Sequence, residues 1–361
     1  MKIFTQSEEI TQKLSRLYKS FGYDRFRMSK FEEYSFYIGH KSFLRSENII
    51  SFGDLDGRLL ALKPDITLSI AKNAREGESC RVYYNENVYR PSSSAREYKE
   101  IPQIGLEYIG NVDALAQCET VLLALRTMET LGGRYTLDLS DVRFVSSVLD
   151  DEGFYESERE KILDAVKKKD RGGIIKICLS AGKDEKTAER IAATADIHGK
   201  FDKAVKEAEK ICVSSGARAS LDGLKEIYAF LGEMGAADNV NLDFSIINDM
   251  NYYNGVVFQG YLEGVPKNVL SGGRYDNLLS KMGKSGGACG FAVYLDLIEL
   301  YRTDGGDNEA DVAVIYDGGD DVSKVEKFAD GMRDGDNVVL CALRGEEVRA
   351  KKIVYFGEAK K

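Results

Sequence analysis

The chain has 361 residues, 43% of them apolar, and a net charge of −9. That length suffices for two or three domains with a sizeable buried core, and the acidic balance offers no general attraction to a polyphosphate. No run approaches eighteen apolar residues and Glu8, Glu9 and Lys13 interrupt the N-terminus, so neither a membrane span nor a secretory leader is expected. The six cysteines are scattered without a CxxC pair, and the two histidines, His40 and His198, complete no zinc-type spacing. The expected setting is a reducing cytoplasm, with no metal and no cofactor.

In chain order, residues 6–21 are predicted to form an amphipathic helix. Ser7 is its cap, Ile10, Leu14, Leu17, Tyr18 and Phe21 share one face, and Gly22 stops it. Residues 48–63 place GDLDGR between two apolar runs and predict a hairpin. Asp65–Ala74 follows Pro64 as a helix. RVYYNENVYR (81–90) and Ile101–Gly110 alternate as two antiparallel strands joined by the polar loop 91–99. A helix from Ala114 carries Cys118, Leu122, Leu125 and Met128 on one face and ends at Gly132-Gly133.

From 148 to 236 the pattern is helical throughout, charged and without strand alternation. Strands return at 242–247, at 252–261 and, after a glycine-rich turn, at 287–296. Residues 303–310 are a polar linker. VAVIY, a helix over 322–333, VVLCAL and IVYF then make a small α/β tail. The expected organisation is a core first half (1–147), a helical insertion (148–236), a core second half (237–302) and a C-terminal domain (303–361). Hairpin-joined strands with helices set apart indicate an α+β fold on an antiparallel sheet flanked by helices.

Several polar groups stand at strand-like positions where apolar ones would cost less. They are Asp65 and Thr67 after the proline, Arg90 at a strand end, Gln103 and Glu107 on one strand, and the pair Tyr252 and Tyr253. Gln103 and Glu107 are four apart and face the same side, with Gly105 between them leaving room for a ligand. Carboxylate, amide, guanidinium and phenol suit a small zwitterion. The carboxylates take its ammonium, the arginine its carboxylate, and Glu with Tyr a polar ring. The same residues would also suit a plain solvent-facing strand. SGGRYDNLL (271–279) places Gly272-Gly273 before Arg274, a turn that could hold phosphate or serve only as a turn.

YYNENVYR (83–90), QIGLE (103–107), NYYNGVVF (251–258), SGGRYDNLL (271–279) and GFAV (290–293) occur with an order and spacing that resemble the histidyl-tRNA synthetases. LALKPDIT (60–67) is similar to that family's LRPE-T segment. The resemblance covers roughly residues 6–145 and 240–300 and implies a class II aminoacyl-tRNA synthetase-like fold. It also implies a histidine pocket made by Asp65, Thr67, Arg90, Gln103, Glu107, Tyr252, Tyr253 and Tyr275. The departures fall on the charges for ATP. The family's RGLxYY arginine is Asn248 here. Its GFAxGxE run is GFAVYLDL, placing Leu297 at the motif 3 arginine and Tyr294 at a glycine. The motif 2 loop lacks its ERP triplet, and the motif 1 proline matches Ser29.

Adenylation develops negative charge on phosphorus, and losing one stabilising group there commonly costs ~2.7–4 kcal/mol of barrier. Asn248 and Leu297 therefore imply a sensor, with no catalytic residues, more than a synthetase. That pattern resembles the regulatory subunits of the short-form ATP phosphoribosyltransferase. It implies histidine as ligand, a role in histidine biosynthesis, and assembly with that enzyme's catalytic subunit. It also implies at least a homodimer, paired through about 24–60, where Phe26, Phe31, Tyr34, Phe36 and Tyr37 supply aromatic area. Residues 304–361 carry 14 acidic against 9 basic side chains, the wrong sign for an anticodon-binding module, and nucleic acid is not an expected partner. Two alternatives stay open. One is a divergent active synthetase, with Arg96 or Lys99 as a restored cation. The other is a repurposed paralogue sensing another amino acid.

Overall fold

The computed structural model describes residues 6–44, 49–91, 97–150, 152–247, 252–302, 310–333 and 337–357. The elements begin with α1 (Gln6–Ser20), β1 (Asp24–Arg25), β2 (Phe31–Glu33), α2 (Tyr34–Gly39), β3 (Ser51–Gly53), β4 (Leu59–Leu62) and α3 (Thr67–Asn73). The long strands β5 (Cys80–Pro91) and β6 (Tyr98–Gly110) follow, then α4 (Ala114–Leu131), β7 (Tyr135–Asp141) and α5 (Val142–Asp150). Next come α6 (Glu156–Lys167), α7 (Arg171–Ser180), α8 (Glu185–Ala192), β8 (His198–Lys200), α9 (Phe201–Ile211) and α10 (Ser215–Glu233). The second half contributes β9 (Val240–Asp243), β10 (Val256–Leu262), β11 (Leu270–Arg274), α11 (Asp276–Lys281), β12 (Gly287–Tyr294) and α12 (Leu295–Arg302). The tail contains β13 (Ala310–Tyr316), α13 (Val322–Asp330), β14 (Val339–Leu343) and β15 (Ala350–Tyr355).

These elements form two compact units, Ile10–Ile298, and Glu299–Lys361 with Met1–Glu9. The larger unit is built on a nine-stranded sheet in the order β1-β5-β6-β12-β11-β10-β7-β9-β8. β1 pairs with β5, and β7 with β9, in parallel; the other pairs are antiparallel. A separate three-stranded antiparallel sheet, β2-β4-β3, contains the predicted 48–63 hairpin. The carboxylate of Asp54 closes that hairpin's turn by accepting from the backbone N–H groups of Asp56 and Arg58, at 2.9 and 2.8 Å.

The period-2 pattern of the strands decides what each face of the large sheet carries. Ile104, Leu106, Leu137, Leu139, Phe258, Phe291 and Val293 turn to one face and pack with Val121, Leu125 and Met128 of α4. A fully buried leucine such as Leu139 contributes roughly 1.5–3 kcal/mol there. Residues of the helical stretch, including Ile162, Val166, Ile174, Leu221 and Leu224, join the same core. Phe144 of α5 stacks on Phe244, ring centroids 4.0 Å apart, which ties the start of that stretch to the chain just past β9.

The opposite face carries the polar alternates. One transverse row runs Tyr84, Gly105, Ala292, Ser271, Gln259, Asp138, Asn241 across successive strands. Gln103 and Glu107 flank Gly105 on β6 and share this face.

Three local expectations are corrected. SGGR is not a turn but strand β11: Gly272 pairs with Phe258 and Phe291 in the ladder. Its glycine is required by crowding, since a Cβ would lie 2.4 Å from that of Phe291 and 2.5 Å from the Gly290 carbonyl. The stretch 148–236 is not wholly helical, because β8 pairs with β9 through His198, Gly199 and Lys200. Three residues are too few to show an alternation. The strand expected at 242–247 starts earlier and stops at Asp243, whose carboxylate accepts from the Ser245 N–H and hydroxyl, at 2.8 and 2.6 Å.

The smaller unit has a parallel sheet in the order β14-β13-β15. α13 links β13 to β14 and buries Val325 and Ala329 against Val314. The predicted linker 303–310 falls, but for Ala310, outside the described residues.

Candidate functional site

On the polar face, Asp65, Thr67, Arg90, Gln103, Glu107, Tyr252, Tyr253 and Tyr275 all line one cavity of about 350 Å³. Four separate segments bring them there. Pro64 ends the approach from β4, and Asp65 then initiates α3 by accepting from the Leu68 N–H at 2.9 Å. This places Thr67, two residues on, facing Glu107 on β6. The approach segment is anchored by Lys63, fully buried, whose ammonium meets the Glu86 carboxylate at 2.8 Å. The Arg90 guanidinium braces the same loop, donating from Nε to the Pro64 carbonyl at 2.7 Å and lying 3.7 Å from the Asp65 carboxylate.

Glu107 is the electrostatic centre. Its side chain is 2% exposed. Thr67 Oγ1 donates to one carboxylate oxygen at 2.7 Å, and the Tyr275 hydroxyl donates to the other. Burial nevertheless dominates and pushes the carboxyl up to about 8, with the two hydrogen bonds opposing and the Asp65 charge assisting. The Tyr252 and Tyr275 phenols are pushed well up by the same burial, and the charge of Glu107 adds to both shifts. Tyr252, Tyr253 and Tyr275 form an aromatic wall, with centroid separations of 4.8, 5.3 and 6.5 Å. A buried acid that both donates and accepts, beside phenols, is suited to a polar ring, while Asp65 and Gln103 suit an ammonium.

Gly290 makes this possible. It pairs with Glu107 in the β6–β12 ladder, and a Cβ there would lie 1.8 Å from Glu107 Oε2. Gly105 does not serve as predicted. The space beside it is occupied by the Tyr84 phenol, whose oxygen would lie 2.5 Å from an added Cβ. Gly105 thus admits a side chain of its own fold, and the ligand space lies elsewhere.

The cavity also recruits Phe43, Tyr84, Lys167, Ser271 and Tyr294, which the sequence reading did not place in a ligand site. Tyr294 was legible in principle, since it pairs with Gln103 across the ladder. Lys167 was not; it comes from the end of α6 in the helical stretch. Leu297 is partly buried against the main core and does not line the cavity. Asn248 and Arg96 lie outside the described residues, and Lys99 is exposed near the start of β6. Among the described residues there is no metal-binding group of His, Cys, Asp or Glu, and no helix long and apolar enough to cross a membrane. The six cysteines are unpaired thiols.

The raised Glu107 carboxyl makes a pH prediction. The folded form holds its proton up to about 8, whereas an unfolded glutamate releases it near 4.5. The resulting stability is fully present below 4.5 and is lost as pH rises through about 8. Thermal scans of the ligand-free protein should give a melting temperature that falls across this window. Glu107→Gln, which stays neutral, should flatten the fall; an unchanged slope would contradict the assignment.

Comparison with known proteins follows the same lines. The family model described as histidyl-tRNA synthetase matches residues 2–298. A curated relative from Bacillus thuringiensis (strain Al Hakam), named ATP phosphoribosyltransferase regulatory subunit, is 27% identical over 301 residues, covering 81% of this chain and 71% of its own. A crystal structure from Bacillus halodurans C, described as an ATP phosphoribosyltransferase regulatory subunit/histidyl-tRNA synthetase, superposes with a TM-score of 0.73 at 24% identity, covering 97% of this chain and 93% of that one. The ATP phosphoribosyl transferase (HisG:HisZ) complex from Thermotoga maritima contains a chain that superposes with a TM-score of 0.65 at 17% identity, covering 81% and 98% respectively. With the fold, the motif order and the matched span in agreement, the chain belongs to the histidyl-tRNA synthetase family.

Proposed function

We propose that this chain is a non-catalytic regulatory subunit of ATP phosphoribosyltransferase, which binds histidine in the cavity around Glu107 and adjusts the activity of a separate catalytic subunit. The observation that carries the reading is a single cavity lined by all eight candidate residues, beside an uncharged, partly buried Leu297 at the position that the resemblance gives to the motif 3 arginine. The name of the curated relatives and the complex from Thermotoga maritima support the choice of partner. Asp65 and Gln103 hold the ammonium, and Glu107 with the tyrosines holds the imidazole. Thr67 and Tyr275 fix the Glu107 carboxyl in place. No residue acts as a catalyst. Histidine acts by binding two states of the assembly with different affinity, a coupling typically of about 1–3 kcal/mol.

A second reading, a divergent synthetase, draws on one observation: Lys167 supplies a cation to the cavity wall. A lysine brings charge without the bidentate geometry of the missing arginines.

The discriminating experiment measures ATP phosphoribosyltransferase activity of the cognate catalytic subunit with and without this chain, across a histidine titration. Activation by the chain is expected, with histidine inhibition weakened at least tenfold by Glu107→Ala, which removes the partner of a polar ring. A catalytic subunit indifferent to the chain would overturn the proposal.

The chain is further proposed to pair with itself through residues 24–60. Phe31 and Phe52 meet edge to face with centroids 5.7 Å apart, and both remain exposed on the small sheet, as does Leu59. Exposed aromatic area of this kind is what an interface core requires. Sedimentation should find a dimer at micromolar concentration, dissociated by Phe31→Asp with Phe52→Asp. A wild-type monomer would refute the pairing.

A further inference from the structure

We propose that Lys167, supplied by the helical stretch, receives the carboxylate of the amino acid in the cavity, so that this stretch forms part of the ligand site. The assignment rests on the amino-acid pocket proposed above and names the residue that sets its requirement for a carboxylate.

Three observations lead there. The first is placement. α6 ends at Lys167, and the chain turns sharply behind it, with Lys169 in the left-handed region at φ 54°. The Lys169 N–H donates to the Val166 carbonyl at 2.9 Å and that of Asp170 to Ala165 at 2.8 Å. The Lys169 ammonium is bound to the Asp243 carboxylate at the end of β9, at 2.8 Å. The end of α6 is thereby pinned to the sheet two residues from Lys167, whose side chain lines the cavity.

The second is charge. Among the described residues the Lys167 ammonium has no ion pair and no hydrogen bond, whereas its neighbours Lys168 and Lys169 are each bound to an aspartate. Arg90, the other cation on the cavity wall, is engaged with the Pro64 carbonyl and lies by Asp65. Arg90 and Asp65 offset one another, and the Glu107 carboxyl is pushed up to about 8 and so is mostly uncharged at neutral pH. Lys167, exposed to solvent at the cavity wall, is left as the cation there with no ion pair among the described residues. A zwitterion brings one carboxylate to meet it.

The third is a second donor. Ser271 on β11 is 5% exposed, lines the same cavity, and its hydroxyl has no hydrogen-bond partner among the described residues. It stands in the transverse row on the side of β12 away from Glu107, towards the edge where Lys169 meets Asp243. An ammonium and a hydroxyl are a suitable donor set for a carboxylate. The ligand would then span from its ring, at Glu107 and Tyr275, to its carboxylate, towards Ser271 and Lys167.

The test is titration calorimetry of the full chain with L-histidine and with histidinol, in which an alcohol replaces the carboxylate. Wild type should prefer histidine by roughly tenfold or more, the worth of one charge-assisted contact. Lys167→Met should reduce histidine affinity to about that of histidinol and leave histidinol binding unchanged, which also reports an intact pocket. Lys167→Arg should keep the preference. Equal loss for both ligands, or histidine binding by Lys167→Met at the wild-type level, would overturn the assignment. Wild type binding neither ligand would overturn the amino-acid pocket itself and this assignment with it.

Discussion

The burial of one carboxyl group organises this molecule. Glu107 points from β6 of the large sheet into a cavity walled by Tyr252, Tyr253 and Tyr275, with Thr67 and Tyr275 donating to its two oxygens. Removing a carboxylate from water is costly, and two hydrogen bonds do not repay it, so the group retains its proton well above the usual range. Everything nearby accommodates that choice. Gly290 gives up a side chain to make room for it, and Lys63 and Arg90 fix the loop that carries Asp65 and Thr67. A protein that needed only stability would fill this space with apolar side chains. The expense is understandable if a ligand completes the hydrogen bonding.

The sheet's two faces divide the labour. One is apolar, shared between α4 and the helical stretch; the other is polar, and the cavity opens on it. The helical stretch contributes to both, through Ile162 and Val166 on the core side and Lys167 at the cavity. α6 thus has its apolar face in the same core as the strands and its last residue at the ligand space. On this account the amino-acid pocket is retained from a synthetase-like fold and the charge needed for phosphorus chemistry is not.

Much of the site was legible because β-strand periodicity is rigid. Gln103 and Glu107 had to share a face once 101–110 was a strand, and Asp65 and Thr67 had to start the helix after Pro64. What the residues could not tell was depth. Gly105 read as space for a ligand, but the strand beside it turns the Tyr84 phenol into that space. Paired glycines at 272–273 read as a turn, whereas the ladder to Phe291 needs them as flat backbone. Lys167 carried no signal, because nothing local in a helix end reveals which distant sheet it will meet. The ligand proposed for the pocket comes from the resemblance, since the spacing alone suits any polar strand face.

The central claim is that this fold keeps the amino acid and has given up the adenylate. Histidine-dependent exchange of radioactive pyrophosphate into ATP by the purified chain measures this directly, alongside calorimetry that establishes histidine saturation. The account predicts saturable histidine binding with exchange indistinguishable from background, since the position that the resemblance gives to the ATP-clamping arginine is the uncharged Leu297. Robust exchange that rises with histidine and is abolished by Lys167→Met would contradict it and make the chain a synthetase with a relocated cation.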